Sequence, residues 1–144
     1  MDWKLVLRTA VIVTLMLLLA NSVFGCKSEA GPIVDWDDCS QQIGDHPCDF
    51  MLMDQNGEEF NLYDHHGKII IIDLSAMWCG PCQSAALEVE ELQKKYGDKI
   101  VYVTILIENV NYNPPTKADI KKWAKAFGIE SVPVLSGSRS IISS

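Results

Sequence analysis

The chain has 144 residues, carries 12 basic and 19 acidic side chains for a formal charge of −7, and is 48% hydrophobic and 22% charged. That length holds one domain, and the apolar content excludes a disordered or low-complexity chain. The negative charge excludes holding nucleic acid or an anionic lipid surface by electrostatics, so neither is expected as a charge-held partner.

The N-terminus reads as an address. Lys4 and Arg8 precede an apolar run over residues 9–20, twelve residues that match a signal-peptide core. A membrane-spanning helix needs roughly 20. Val23, Gly25 and Cys26 then resemble the lipobox of bacterial lipoproteins. That resemblance implies cleavage before Cys26, lipidation of Cys26 and a protein exported but held at the membrane, facing the periplasm or cell exterior. An ordinary signal peptide cut near Gly25, or an uncleaved anchor helix, is the plainer reading of the same residues. The expected layout is a signal peptide over 1–25, a tether over 26–38, and a domain over 39–144. Acids recur from Asp35 to Asp64 while residues 28–67 hold no Lys or Arg, a solvated surface rather than a docking site.

Four further cysteines form two pairs. Cys39 and Cys48 flank a turn-rich stretch, and Cys79 and Cys82 form a Cys-x-x-Cys. Three connectivities are open to four sulfurs. An exported chain meets oxidising conditions, and local pairing closes two short loops. Cys39–Cys48 is expected as a structural disulfide. Zinc is the competitor, with His46 as a substitute ligand, but the first spacing is too wide for the usual knuckle, and no metal is expected.

Next comes a hairpin. Phe50-Met51-Leu52-Met53 and Glu59-Phe60-Asn61-Leu62 flank Gln55-Asn56-Gly57, and Asn-Gly tolerates positive φ at both central positions. His65 and His66 fall in a polar turn and read as surface residues. Residues 69–74 are apolar on both faces, as in a central buried strand, and residues 100–107 repeat that pattern. Between them, Ala85, Val89, Leu92 and Tyr96 recur at helical spacing. Thr116 with Asp119 predicts a capping box, and Ile120, Trp123, Ala124 and Phe127 form one apolar face ending at Gly128. The order predicts an α/β fold with a βαβ unit and a parallel sheet.

Met77-Trp78-Cys79-Gly80-Pro81-Cys82 lies where the first buried strand passes to the first helix. A cysteine there faces unpaired N–H groups and the positive end of the helix dipole, which favour thiolate over thiol. Pro81 suits the first helical turn. The second sulfur falls within disulfide range, with one sulfur expected to be exposed and the other buried. Cys79 is the expected nucleophile and Cys82 the resolving thiol.

Trp-Cys-Gly-Pro-Cys after Ile-Ile-Asp-Leu-Ser-Ala-Met resembles the thioredoxin superfamily, and the exported setting with a preceding hairpin resembles its TlpA/ResA-like reductase branch. The resemblance implies a thioredoxin-like fold and thiol–disulfide exchange without a cofactor. It also implies exported disulfide-containing proteins as clients, a membrane thiol carrier as electron donor, and a monomer. Asp73 falls where thioredoxins keep a buried aspartate, a candidate acceptor for the Cys82 proton, whereas the plainer role is bonding to local backbone. Trp78 is expected to shield the disulfide. The branch commonly carries Glu and Pro where this chain has Ala85 and Leu87, so a role for that Glu does not carry over.

Two alignments compete near the end. In one, Gly128-Ile129-Glu130-Ser131-Val132-Pro133 is the cis-proline segment, which makes Pro133 a candidate facing the cysteines. In the other, Val132-Pro133-Val134-Leu135 precedes that loop, and this is preferred because Ser136-Gly137-Ser138 is a poor strand. Either leads to the expectation of a chain truncated at its C-terminus, lacking the last strands and helix, so that activity itself is in question. Two other classes share the fold. A thiol peroxidase would want a Thr-x-x-x-Cys loop, and a copper carrier a Cys-x-x-x-Cys with a distant His. A redox-inert or metal-binding protein is the remaining alternative.

Overall fold

The computed structural model describes Trp36, residues 38–40 and residues 42–142. The signal peptide, Cys26 and most of the tether lie outside the described residues.

Strands β1 (Met51–Met53) and β2 (Glu59–Asn61) form the expected antiparallel hairpin, with Leu52 opposite Phe60. Its turn differs from the Asn-Gly expectation. Only Gly57 takes a positive φ, of 91°. The Asp54 carboxylate organises the turn instead, accepting from the N–H groups of Asn56, Gly57 and Glu58 at 2.7–2.8 Å.

The main sheet has three parallel strands, β3 (Ile69–Ala76), β4 (Ile100–Glu108) and β5 (Val134–Ser136), in the order β3-β4-β5. The expectation of a central, buried β3 is therefore corrected. β4 is central, and among the described residues β3 has no strand on its other side. Ile69, Ile72 and Leu74 are 66%, 39% and 41% exposed as a result. β-Branched side chains made β3 a strand, but they do not determine its place in the sheet.

Helices α1 (Gly80–Ala86), α2 (Val89–Tyr96) and α3 (Lys117–Phe127) supply the crossovers. They cover one face of the sheet, where Ala86, Val89, Ile120 and Trp123 pack against Tyr102, Leu106 and Val134. The single helix expected after the cysteines is divided at Leu87 and Glu88, where Glu88 N–H reaches back only to the Ala85 carbonyl. That tighter turn moves the buried face to Ala86 and Val89, while Ala85 and Tyr96 are exposed. α3 agrees with its sequence signals. Thr116 and Asp119 make both bonds of the capping box, Ile120, Trp123 and Ala124 are buried, and Gly128 ends the helix at φ 66°.

The hairpin covers the other face through Phe60, Leu52 and Phe50 against Val103, Ile105 and Leu135. A groove of about 290 Å³ remains there, lined in part by Cys48, Phe50, Ile72, Leu74 and Ile141. Cys39 and Cys48 are joined by a disulfide. Their loop rests on the hairpin side, with the Trp36 ring stacked on His46 at 3.8 Å and the Tyr63 hydroxyl donating to the Pro47 carbonyl at 2.9 Å. His66 is exposed as expected, whereas His65 is half-buried with its ring stacked on Phe60. Burial, then nearby Lys68, pulls its pKa below the ordinary histidine value.

Two side chains tie the start of β5 to distant elements. Gln55 accepts from Val134 N–H at 2.7 Å and donates to the Val132 carbonyl at 3.0 Å, taking the place of a neighbouring strand. Glu90 of α2 accepts from the backbone N–H groups of Glu130, Ser131 and Val132 and from the Ser131 hydroxyl. Burial alone would raise its pKa, but the four donors, led by Ser131 N–H, outweigh it and hold the carboxyl below its ordinary value.

Candidate active site

β3 and β4 run in step until a shift of register between Ser75 and Ala76, which sets Ala76 opposite Glu108 and leaves Ile107 unmatched. Such bulges re-aim the chain at the end of a strand. Here Met77 N–H donates to the Glu108 carbonyl and Cys79 N–H to the Ala76 carbonyl, both at 3.0 Å, so the chain turns sharply into α1.

Cys79 is the N-cap of α1, with φ −81° and ψ 107°, and its Sγ accepts from Cys82 N–H at 3.2 Å. An N-cap side chain normally answers a donor two or three residues on with oxygen. Once the disulfide is reduced, a helix N-terminus is a position that favours thiolate over thiol. Pro81 lies in the first turn, where a missing N–H leaves no bond unmade. Gln83 steadies the turn by donating to the Met77 carbonyl at 2.8 Å.

Cys79 and Cys82 are joined by a disulfide. Both are half-buried, rather than one exposed and one buried, and Gly80 and Pro81 are exposed. Cys82 packs against the helix-side core.

Asp73 lies on β3 and accepts from the Ser75 hydroxyl at 2.9 Å and the Thr104 hydroxyl at 3.4 Å. Its partners are side chains, not the local backbone of the plainer reading. Burial, then the Asp73 charge, raises the pKa of Tyr102 on β4.

Pro133 is not brought to the cysteines. The described residues contain no cis peptide bond, so the candidate cis-proline is corrected to a trans residue. Its carbonyl accepts from Thr104 N–H at 3.0 Å as the chain enters β5, beyond β4 from β3. The strand β5 follows Pro133 directly, as the first alignment predicts and contrary to the reason for preferring the second, although the cis bond of that first alignment is absent among the described residues.

Trp78 is 45% exposed and only partly a shield. Its indole N–H donates to Glu108 Oε2 at 3.0 Å, and its ring lies 5.4 Å from that of Tyr112. Arg139 closes on the same carboxylate, with Nε 2.5 Å from Oε1 and Nη2 3.0 Å from Oε2. Hydrogen bonding from Arg139 is the main reason that the Glu108 carboxyl stays below its ordinary pKa; burial opposes it and Trp78 adds to it.

Tyr112 takes φ 62°, a left-handed conformation unusual for a bulky residue. Asn109 builds that loop by accepting from the N–H groups of Asn111 and Asn113. Sequence reasoning missed Glu108, Tyr112 and Arg139. The signal for Glu108 was present, an acid closing an otherwise apolar strand. Arg139 is the sole basic residue after Lys125, and nothing in its neighbours points to β4.

Residues 43–143 match the AhpC/TSA family. The chain is similar to the thioredoxin-like protein YneN of Bacillus subtilis (strain 168), at 35% identity over 86 residues, which are 60% of this chain and 46% of that protein. It is also similar to the thiol-disulfide oxidoreductase ResA of Geobacillus kaustophilus (strain HTA426), at 28% identity over 127 residues, 88% of this chain and 66% of that one. Among solved structures it resembles the pneumococcal exposed lipoprotein thioredoxin Etrx1 of Streptococcus pneumoniae strain TIGR4. That likeness has a TM-score of 0.55 and 28% identity, and covers 66% of this chain and 70% of the other. The chain thus spans 46% and 66% of the lengths of these two curated relatives.

Proposed function

The chain belongs to the AhpC/TSA family and has a mixed α/β, thioredoxin-like fold, and from that premise we propose that it is a membrane-tethered thiol–disulfide oxidoreductase that reduces disulfides of exported proteins. The observation that carries this reading is Cys79 Sγ at the N-cap of α1, accepting from Cys82 N–H and bonded to Cys82.

In the reduced enzyme the Cys79 thiolate attacks one sulfur of a client disulfide. A Cys79–client bond forms, the client S–S bond breaks, and the departing sulfur leaves as a thiolate. Cys82 then gives up its proton and attacks Cys79 Sγ. The mixed disulfide breaks, the second client thiolate departs, and two electrons have passed from the enzyme dithiol to the client. Asp73 is the proposed acceptor of the Cys82 proton, held by Ser75 and Thr104 under the end of β3. A membrane thiol carrier would restore the dithiol by the same exchange in reverse. Gly80 and Pro81 shape the turn between the sulfurs, and Cys39–Cys48 fastens the loop ahead of the hairpin.

The layout that goes with this reading is a signal peptide over 1–25, lipidated Cys26, a tether to residue 38 and a domain over 39–144. Relatives named as an oxidoreductase and an exposed lipoprotein support it. Among the described residues no helix is long and apolar enough to cross a membrane.

Dithiol-driven reduction of a model disulfide protein tests the activity. The wild type should turn over, Cys79→Ser should be inactive, and Cys82→Ser should accumulate mixed disulfides through Cys79. No turnover by the wild type overturns the enzyme reading. For Asp73, Asp73→Asn should slow release of the mixed disulfide and leave its formation rate unchanged; equal effects on both steps would refute the proton role. Mass spectrometry of the mature N-terminus settles the anchor, since an unmodified Cys26 removes it.

A further inference from the structure

Glu108 holds both residues that lead into Cys79. Its carbonyl takes the Met77 N–H and its carboxylate takes the Trp78 indole N–H, each at 3.0 Å. The carboxylate is 7% exposed and would be costly there with a neutral donor alone. Arg139, 68% exposed, balances it with two nitrogens at 2.5 and 3.0 Å. One charge of the pair is thus fixed against the active-site segment, and its partner reaches in from the 3-10 turn Arg139–Ile142.

We propose that Glu108 and Arg139 form a charge-balancing pair that sets how readily the Cys79 thiolate forms, with Glu108 also acting as a positioning residue for Trp78. The proposal rests on the reading of Cys79 as the nucleophile. With both charges present their fields largely cancel at the sulfur. Without Arg139, the carboxylate opposes the thiolate; without the carboxylate, the guanidinium favours it. Other charges at this end of the sheet are engaged separately. Asp73 is held by Ser75 and Thr104, and Asp119 by Thr116 and Asn109. Tyr112, the ring beside Trp78, brings a phenol to the same place. Substitution of the pair removes none of the Asp73 and Asp119 hydrogen bonds.

The pH dependence of iodoacetamide alkylation of the reduced full chain, mapped by mass spectrometry, provides the test. Glu108→Gln should lower the Cys79 pKa and Arg139→Gln should raise it, each by about half a pH unit. The double variant should return near the wild type, and Arg139→Lys should restore the wild-type value. Both single variants should melt earlier than the wild type, because each breaks the pair. A loss of structure therefore moves both in one direction, whereas the proposed role moves the pKa in opposite directions. Equal-sign shifts, or none, overturn the charge-balancing role while leaving the nucleophile reading intact. First alkylation at Cys82 instead of Cys79 overturns the nucleophile reading and the proposal with it.

Discussion

Glu90 illustrates how much one side chain does away from the Cys79–Cys82 disulfide. Its carboxylate collects three backbone N–H groups and a hydroxyl from the loop ahead of β5. Hydrogen bonds to a charged group contribute about 1.5–3 kcal/mol each before overlap, so Glu90→Ala should cost about 2–4 kcal/mol in urea unfolding. The pH dependence has a definite sign. Because the folded pKa lies below the ordinary 4.5, this stabilisation is complete above the unfolded value and is lost as pH falls through the folded one. Glu90→Gln should flatten that acid limb.

Tyr112 permits a cleaner comparison. Alanine and glycine both remove the ring from Trp78, but only glycine accepts φ 62° without strain. Tyr112→Gly should therefore be more stable than Tyr112→Ala by about 1 kcal/mol. Equal urea midpoints would mean that the loop relaxes elsewhere.

Among the elements, β5 is the one whose neighbours define it. Gly137 follows it and donates to the Leu106 carbonyl at 2.9 Å, and a Cβ there would lie 2.5 Å from Ile105 Cγ2. Gly137→Ala should cost about 1–3 kcal/mol through overpacking, read as a lower melting temperature. The loop closed by Cys39 and Cys48 has a sequence separation of 9, for which the chain-entropy estimate is about 2–3 kcal/mol. Replacing both cysteines by serine should lower stability by that amount and leave turnover at Cys79 intact. Loss of turnover in the folded variant would assign the pair a redox role.

Local signals were legible in sequence wherever the cause is local. The capping box of Thr116 and Asp119, the β-branched runs of β3 and β4, and the Cys79 motif at a strand-to-helix turn all follow from neighbouring residues. The order of the sheet did not, because two apolar strands carry no mark of which one is central. The bulge at Ile107 was hidden for a related reason: it is a mismatch between strands distant in sequence. The site divides in the same way, with Cys79, Gly80, Pro81 and Cys82 on one segment, while Arg139 reaches Glu108 across 31 residues.

At the scale of the molecule, the helices cover one face of the sheet while the other is covered only in part, and β3 leads directly to the Cys79–Cys82 disulfide. From residue 69 to residue 76 its one charged side chain is Asp73, and that residue is occupied with Ser75 and Thr104. Among the described residues no strand pairs with the outer edge of β3, and a long apolar edge is a template for another extended chain. Purified protein should therefore self-associate as its concentration rises. Placing a lysine at the half-exposed Ile72 should raise the concentration at which light scattering begins. The strand that leads to the Cys79–Cys82 disulfide is thus also, among the described residues, an edge at which copies of the chain can pair, so turnover is best assayed in dilute solution.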